Sequence, residues 1–296
     1  MVDMHIHSLY SDGDKSLEEI LRKCEEKKLE YISLTDHNTC KQYEDEALKE
    51  NFFTGKIVVG AEMNAYVDDK RIEFLAYNIK NLEMINEWSN KFYSEEIINR
   101  RFNKEKKKIL EICYNNNLLF DLNNIKQDIK YTDFYVVYVY YELIKHPENK
   151  EKMGECFNSF NEFRKQGLAN PHSIFYMGED DSLKPMYKDV VDVIHNAGGL
   201  VFLAHPFEYH FEDIIGFIDE LRKEIKLDGI ECFHPSAEKD NRIERLLKYA
   251  EDNNLFISGG SDYHGDKKPN NEIAIGSGSL NITKDYIEKW AQPINI

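Results

Sequence analysis

Histidines and acidic residues recur in this sequence at spacings that suit metal binding. The first of them, His5 and His7, stand one residue apart in the stretch HIHSLYSDGD, which also contains Asp12. On a β-strand, side chains two residues apart project from the same face, so a single ion could contact both imidazoles. Alone, such a pair is a weak signal, because isolated histidines are more often hydrogen-bonded structural residues.

The same residue types follow other apolar segments along the chain. The candidate metal ligands are His5, His7, Asp12, His37, Glu62, Glu73, His205, Asp262 and His264. Structural roles explain any one of them well, but they explain the joint occurrence at strand ends poorly. Imidazoles mixed with carboxylates suit Mn, Zn or Fe better than Ca or Mg, since nitrogen donors prefer transition ions. The sequence therefore predicts a cluster of metal ions.

The elements that would position these residues alternate between helix and strand near both ends of the chain. Ser16 and Glu19 form a capping-box pattern before an apolar helical stripe. The predicted strands include YISLT, KIVVGAEM, RIEFLAYNI, LVFLA, LDGIECF and LFISG. Without a Gly-rich phosphate loop, this alternation favours an α/β barrel of parallel strands, whose carboxyl ends converge on one face. A doubly wound parallel sheet is the alternative fold.

The middle of the chain has a different pattern. Long charged stretches and the aromatic-rich segment YTDFYVVYVYYELIKH are typical of helices. We therefore expect a mainly helical insertion or cap over residues 81–184, within a core formed by residues 1–80 and 185–296.

Composition limits the possible partners. The 38 Lys and Arg against 54 Asp and Glu give a net charge of −16, which disfavours stable binding of long nucleic acid. A small anionic substrate would need a local attraction, which bound metal cations would supply. The apolar runs are too short to span a bilayer, and the N-terminal residues do not resemble a signal peptide, so we expect a cytoplasmic protein without a membrane partner. Five scattered cysteines indicate reduced thiols.

Five motifs together resemble a known family. HIHSLYSDG, LTDHNT, VGAE, LAHP and GSDYHG are similar, in this order, to the metal motifs of the PHP (polymerase and histidinol phosphatase) phosphoesterases. The resemblance covers roughly the first 80 residues and those after about 185. It implies a distorted (β/α)7 TIM-like barrel, with about seven strands, that holds two or three divalent ions of Mn, Zn or Fe. The insertion resembles that of a subgroup acting on nucleoside 3',5'-bisphosphates or short RNA.

The resemblance also implies how the ligands are shared. The implied sets are His5, His7, Glu62 and Asp262 for a first ion, Glu62, Glu73 and His205 for a second, and Asp12, His37 and His264 for a third. Asp36 would orient a ligand, and His234 would support the site, contact substrate or act as the general acid. Gly13, Gly259 and Gly260 would let the backbone turn tightly around the ions, although ordinary turns also use glycine.

Two departures from the subgroup bear on the substrate. Glu73 occupies a position that is commonly His, which makes the second ion site more anionic. The subgroup also has an Arg and a His at the start of an insertion helix that clamp a second phosphate. The corresponding stretch here, KYTDFYVVYVYYEL, has no Arg-x-x-His and offers Lys130, Tyr131 and Tyr135 as candidate substrate-binding residues.

The leading hypothesis is a metal-dependent phosphoesterase that hydrolyses a small phosphorylated metabolite or nucleotide. A water held between two metals would lose its proton readily and attack phosphorus in line, while the ions neutralise charge on the phosphoryl oxygens. One alternative is a 5'-3' exonuclease that trims short RNA, with aromatics of the insertion stacking bases. Another is a metal-stabilised binding or regulatory module without catalysis.

Overall fold

The chain folds into two compact units. A computed structural model describes residues 1–68, 70–126, 134–178 and 183–294. Unit 1 consists of Met1–Phe92 and Lys184–Ile296, and unit 2 consists of Tyr93–Leu183. The sequence places the first boundary earlier, at residue 81. The segment after residue 81 belongs with unit 1 because it forms a helix whose Ile85 is fully buried in the core of that unit.

The described residues form eight β-strands and ten α-helices, joined by short 3-10 turns and one π-helical turn at Phe163–Leu168. The strands are β1 Val2–Ile6, β2 Tyr31–Leu34, β3 Lys56–Ile57, β4 Gly60–Val67, β5 Lys70–Tyr77, β6 Leu200–Leu203, β7 Gly229–Phe233 and β8 Phe256–Gly259. The helices are α1 Leu17–Glu26, α2 Leu82–Tyr93, α3 Glu95–Asn115, α4 Tyr135–Leu143, α5 Lys150–Met153, α6 Phe160–Glu162, α7 Tyr187–Asn196, α8 Ile214–Glu224, α9 Arg242–Asp252 and α10 Lys284–Ile287.

Local sequence signals explain where several elements begin and end. The predicted capping box is confirmed at α1, where the Ser16 hydroxyl accepts from the Glu19 N–H and the Glu19 carboxylate accepts from the Ser16 N–H. The helix α7 ends shortly before Gly198, whose φ of 79° is readily adopted only by glycine. Both helices bury one apolar stripe against the sheets.

The strands of unit 1 form two sheets. β1, β2 and β3 make a parallel sheet, and the second sheet has the order β4-β5-β6-β7-β8. In the second sheet β5 runs antiparallel to both neighbours, which corrects the expectation of a wholly parallel barrel. The segment KIVVGAEM, predicted as one strand, is two strands because its pairing passes from β2 to β5.

Isolated backbone bridges bring the two sheets together beside the candidate ligands. Ile6 pairs in parallel with Tyr263, and His37 pairs in parallel with Glu62. Strand order follows chain order in both sheets, whereas a doubly wound sheet reverses its order at a switch point. The described strands therefore give an α/β fold with barrel-like order, and a closed seven-stranded barrel remains a prediction.

Each unit has its own hydrophobic core. In unit 1, the rings of Tyr77 and Phe202 pack against Trp290, with ring centroids 4.9 and 4.8 Å from it. In unit 2, the described residues form helices and no strand, and their core includes Ile109, Tyr135 and Phe163. No helix in the described ranges is long and apolar enough to cross a membrane.

Candidate metal centre

The strands of unit 1 position every candidate ligand. His5 lies on β1, His7 directly follows β1, His37 follows β2, Glu62 and Glu73 lie on β4 and β5, His205 follows β6, and Asp262 and His264 follow β8. All nine side chains, including Asp12 from the loop after β1, meet in one cluster. Carboxyl ends of parallel strands supply most of these positions, as the sequence pattern indicated.

Glu62 lies at the centre of the cluster. Its Oε2 atom is 3.3 Å from His5 Nε2, 3.2 Å from His7 Nε2 and 3.2 Å from His37 Nδ1. Its Oε1 atom is 2.7 Å from His205 Nε2. The side chain is only 1% exposed. Burial alone would raise the pKa of Glu62, but these imidazoles hold it well below its usual range, so the group is a carboxylate.

A second carboxylate joins the first two histidines. Asp262 Oδ1 lies 3.5 Å from His5 Nε2 and 3.4 Å from His7 Nε2, and those two nitrogens are 3.0 Å apart. Glu73 Oε2 lies 3.5 Å from His205 Nε2, which extends the cluster along β5.

Asp12 closes the other side of the cluster. Its Oδ1 atom is 3.1 Å from His264 Nε2 and 3.4 Å from His7 Nδ1, and its Oδ2 atom is 3.6 Å from His37 Nε2. His7 therefore faces two sets of ligands, one through each ring nitrogen. The resemblance had assigned His7 to the first ion alone.

Three further acids that are not candidate ligands hold the site in place. Glu231 on β7 was missed in the sequence, although an acid within the apolar strand GIECF is a recognisable signal. Its Oε1 atom is 2.8 Å from His5 Nδ1, and its Oε2 atom accepts from the His205 N–H at 2.7 Å. Asp3 accepts from the His5 and Ser261 N–H groups. These carboxylates fix ligand orientation, as supporting groups do in metal sites.

Asp36, which was expected to orient a ligand, bonds to the loop after β1. It accepts from the N–H and hydroxyl of Ser8 and from the hydroxyl of Ser11. These contacts hold the loop that carries Asp12.

The backbone around the site is unusual in two respects. His205 and Asp262 have φ values of 23° and 53°, a region that non-glycine residues rarely occupy and that is often found at functional sites. A Cβ on Gly260 would lie 2.3 Å from the backbone nitrogen of His5, and one on Gly13 would lie 2.7 Å from the carbonyl oxygen of His7. Glycine is required at both positions because the chain passes directly against the ligand-bearing strand.

The donor set fits divalent cations. Buried carboxylates outnumber the cationic side chains beside them, and burying anions without compensation is costly. Burial would lower the pKa of His7 and of His205, yet the adjacent carboxylates raise them to about 10 and about 9. Among the described residues, the buried His37 Nδ1 and His264 Nε2 atoms face carboxylate oxygens at 3.2 and 3.1 Å but make no hydrogen bond of suitable geometry. The cluster thus demands positive charge and offers imidazole nitrogens to hold it.

His234 differs from the other histidines in its hydrogen bonding. Its Nδ1 atom accepts from the Ser236 N–H at 3.1 Å, so the neutral ring carries its proton on Nε2. That nitrogen is buried and lies 3.5 Å from Asp262 Oδ2. The arrangement suits a hydrogen-bond donor better than a metal ligand.

The structure describes one of the three candidate substrate-binding residues of the insertion, Tyr135. Lys130 and Tyr131 lie outside the described residues. Tyr135 is fully buried in the hydrophobic core of unit 2, with its ring 5.1 Å from that of Phe102. Burial therefore favours a packing role for Tyr135 over contact with substrate.

Comparison with known proteins identifies the family of this site. A family model for the PHP domain matches residues 3–258, which include the seven candidate ligands from His5 to His205, whereas Asp262 and His264 follow the matched range.

 The chain belongs to the PHP family. As a PHP phosphoesterase it is a hydrolase that acts on phosphate ester bonds and depends on divalent metal ions.

Two curated relatives cover nearly the whole PHP chain. The phosphoribosyl 1,2-cyclic phosphate 1,2-diphosphodiesterase of Eggerthella lenta is 22% identical over 279 residues, covering 89% of this chain and 94% of that protein. The 5'-3' exoribonuclease of Haemophilus influenzae is 22% identical over 296 residues, covering 97% of each.

Two solved structures share the fold. A protein from Bifidobacterium adolescentis, whose assignment as a metal-dependent phosphoesterase is itself a prediction, matches with a TM-score of 0.65 at 20% identity, covering 97% of this chain and 94% of that chain. An amidohydrolase from Chromobacterium violaceum, with bound SO4 and no metal, matches with a TM-score of 0.64 at 16% identity, covering 90% and 88%. At these identities the similarity supports the fold alone.

Proposed function

We propose that this PHP protein hydrolyses a phosphate ester of a small phosphorylated metabolite or nucleotide. The observation that carries the proposal is the convergence of four imidazoles on the buried carboxylate of Glu62. A purely structural metal site is closed by about four ligands, whereas nine ligand-type side chains meet here. This excess of ligands favours a catalytic site over a noncatalytic module.

The nine ligand-type residues would hold two or three ions of Mn, Zn or Fe. When bound, divalent ions supply Lewis-acid stabilisation of the phosphoryl oxygens and activate water for attack. The chain's own residues orient the site. Glu231 accepts the Nδ1 proton of His5, which leaves the lone pair of His5 Nε2 directed at Glu62 and Asp262.

His234 is our candidate for the donor to the leaving group. Its Nε2 proton faces the cluster, while the Ser236 N–H and hydroxyl hold its Nδ1 atom in place. A donor at this position would protonate the departing ester oxygen, which is the role of a general acid.

Trimming of short RNA from the 5' end is the second candidate function. The full-length similarity to the exoribonuclease of H. influenzae favours it. The net charge of −16 argues against a tight grip on long RNA, so only short substrates are expected.

Phosphate release tests the proposal. Protein reconstituted with Mn is assayed against mononucleotides, nucleoside 3',5'-bisphosphates, a cyclic phosphodiester and short RNA, with chelated protein as the control. We expect metal-dependent release of phosphate from at least one small substrate. Release of mononucleotides in proportion to RNA length would favour trimming. Absence of turnover on every substrate, with metal fully bound, would favour the noncatalytic module.

A further inference from the structure

Two basic side chains are ion-paired with acids of the candidate ligand set. The guanidinium of Arg71, on β5, bonds to Glu73 Oε1. The ammonium of Lys268, in the loop after β8, bonds to Asp262 Oδ2. The two cations thus come from separate elements of unit 1, and each contacts a different candidate ligand.

Both cations are accessible from solvent, unlike their partners. The side chains of Arg71 and Lys268 are 45% and 42% exposed, whereas those of Glu73 and Asp262 are 12% and 4% exposed. Each basic group therefore lies on the solvent side of a buried acid. An anion that approached Glu73 or Asp262 from the side of its ion pair would meet a cation first.

The two ion pairs are related to one centre, because Arg71 and Lys268 both interact electrostatically with Glu62, the central carboxylate.

We propose that Arg71 and Lys268 bind phosphate oxygens of the substrate at the solvent side of the metal centre. The inference rests on the proposed phosphoesterase function. Cations bound by Glu73 and Asp262 would compete with the two ion pairs and release basic donors toward an incoming anion. The planar guanidinium matches the geometry of phosphate oxygens, and the ammonium adds a compact charge.

Two features of the sequence agree with phosphate binding by Arg71 and Lys268. A chain with a net charge of −16 needs local positive charge to attract an anionic ester. The stretch 130–143 also lacks the Arg-x-x-His clamp of the bisphosphate-hydrolysing subgroup. Arg71 and Lys268 would supply phosphate contacts from the core of unit 1 instead.

Binding of inorganic phosphate to the Mn-loaded protein tests the inference without requiring turnover. Calorimetry compares wild type with Arg71→Gln, Lys268→Gln and the double variant, and mass spectrometry measures Mn content in the same samples. We expect each single change to weaken phosphate binding by about tenfold, the loss expected for a charged hydrogen bond, with Mn content unchanged. Arg245→Gln and Lys248→Gln, which remove exposed ion pairs with Asp213 and Asp252, should match wild type.

The KM values for a mononucleotide and a 3',5'-bisphosphate then identify the phosphate that is bound. If the variants have a higher KM than wild type for both substrates, Arg71 and Lys268 bind the reacting phosphate. If KM rises for the bisphosphate alone, they bind its second phosphate. Unchanged phosphate affinity in the double variant would overturn the inference, as would loss of Mn in proportion to loss of binding. If wild type binds phosphate through these residues but hydrolyses no ester, the proposed function fails, whereas phosphate binding by Arg71 and Lys268 stands.

Discussion

The Nε2 atoms of His5 and His7 lie 3.0 Å apart at the end of β1, and both rings are completely buried. Glu62 and Asp262 approach the same two nitrogens. Two imidazole nitrogens this close, facing carboxylates and shielded from water, form a site that a shared cation would stabilise.

Divalent metal should stabilise the folded protein. An ion that binds only the native state at 100 times its Kd adds about 2.7 kcal/mol to the free energy of unfolding. We expect Mn to raise the Tm of the wild type, and to raise it less in Asp262→Asn, which loses one anionic ligand. Thermal unfolding with and without chelator measures the Mn-induced rise in Tm of both proteins. Equal Mn-induced shifts in the two proteins would show that Asp262 is not a ligand.

His234→Gln should slow the release of poor leaving groups most. Loss of a general acid typically costs about 10²–10⁴-fold in rate. We expect a large fall in kcat for a mononucleotide and a much smaller fall for p-nitrophenyl phosphate, whose leaving group needs no proton. Mn content should stay at the wild-type level. Equal losses on both substrates would contradict a donor role, and loss of Mn would indicate that His234 is a ligand.

Gly260→Ala should disturb the metal centre through the backbone. The added methyl would lie 2.3 Å from His5 N and 2.7 Å from Asp3 Oδ1, so β1 and the loop after β8 would have to separate. We expect a lower Tm and reduced Mn content. Gly167→Ala is the matched control, because its nearest neighbour is Cys156 Sγ at 3.3 Å. Wild-type Mn content in Gly260→Ala would show that the close approach does not position the ligands.

Glu142 should stabilise unit 2 in a pH-dependent way. Its side chain is 1% exposed. Burial would raise its pKa, but the Lys145 ammonium and the Asp121 N–H help to lower it to about 2. Because this value is below that of the unfolded chain, the contribution is fully present above pH 4.5 and is lost as the pH falls toward 2.

The Glu142→Gln variant measures that contribution. We expect it to be less stable than wild type by about 1–3 kcal/mol at pH 7, and the difference to shrink by pH 3. Urea unfolding of both proteins at pH 7, 5, 4 and 3 gives their free energies of unfolding. A difference that stays constant across this range would exclude ionisation of Glu142 as its cause.

The convergence of the nine ligand-type side chains was predictable from the sequence because strands constrain where side chains lie. His205 and Asp262 are 57 residues apart in the sequence, yet each follows a strand of the same sheet, so both reach one edge. The antiparallel β5 was foreseeable in part. Asp68 and Asp69, which are residues common in turns, separate the two strands in the sequence, and adjacent strands joined by a tight turn are antiparallel.

Other features depend on contacts that no local pattern specifies. An acid inside the apolar strand GIECF marks Glu231 as unusual, but only the fold identifies His5 and His205 as its partners. Arg71 and Lys268 lie near the site for the same reason. For Tyr135, helical spacing suited either a packed face or a binding face, and burial in the structure favours the packed face.

The most direct test of the metal-dependent phosphoesterase is Glu62→Gln, with phosphate release and Mn content measured on the same samples. The change keeps the shape of the side chain and removes the charge that four imidazoles share. We predict Mn-dependent turnover in wild type and in the surface control Glu244→Gln. In Glu62→Gln we predict a loss of more than about 100-fold, together with reduced Mn content. Full turnover and full Mn content in Glu62→Gln would contradict the account.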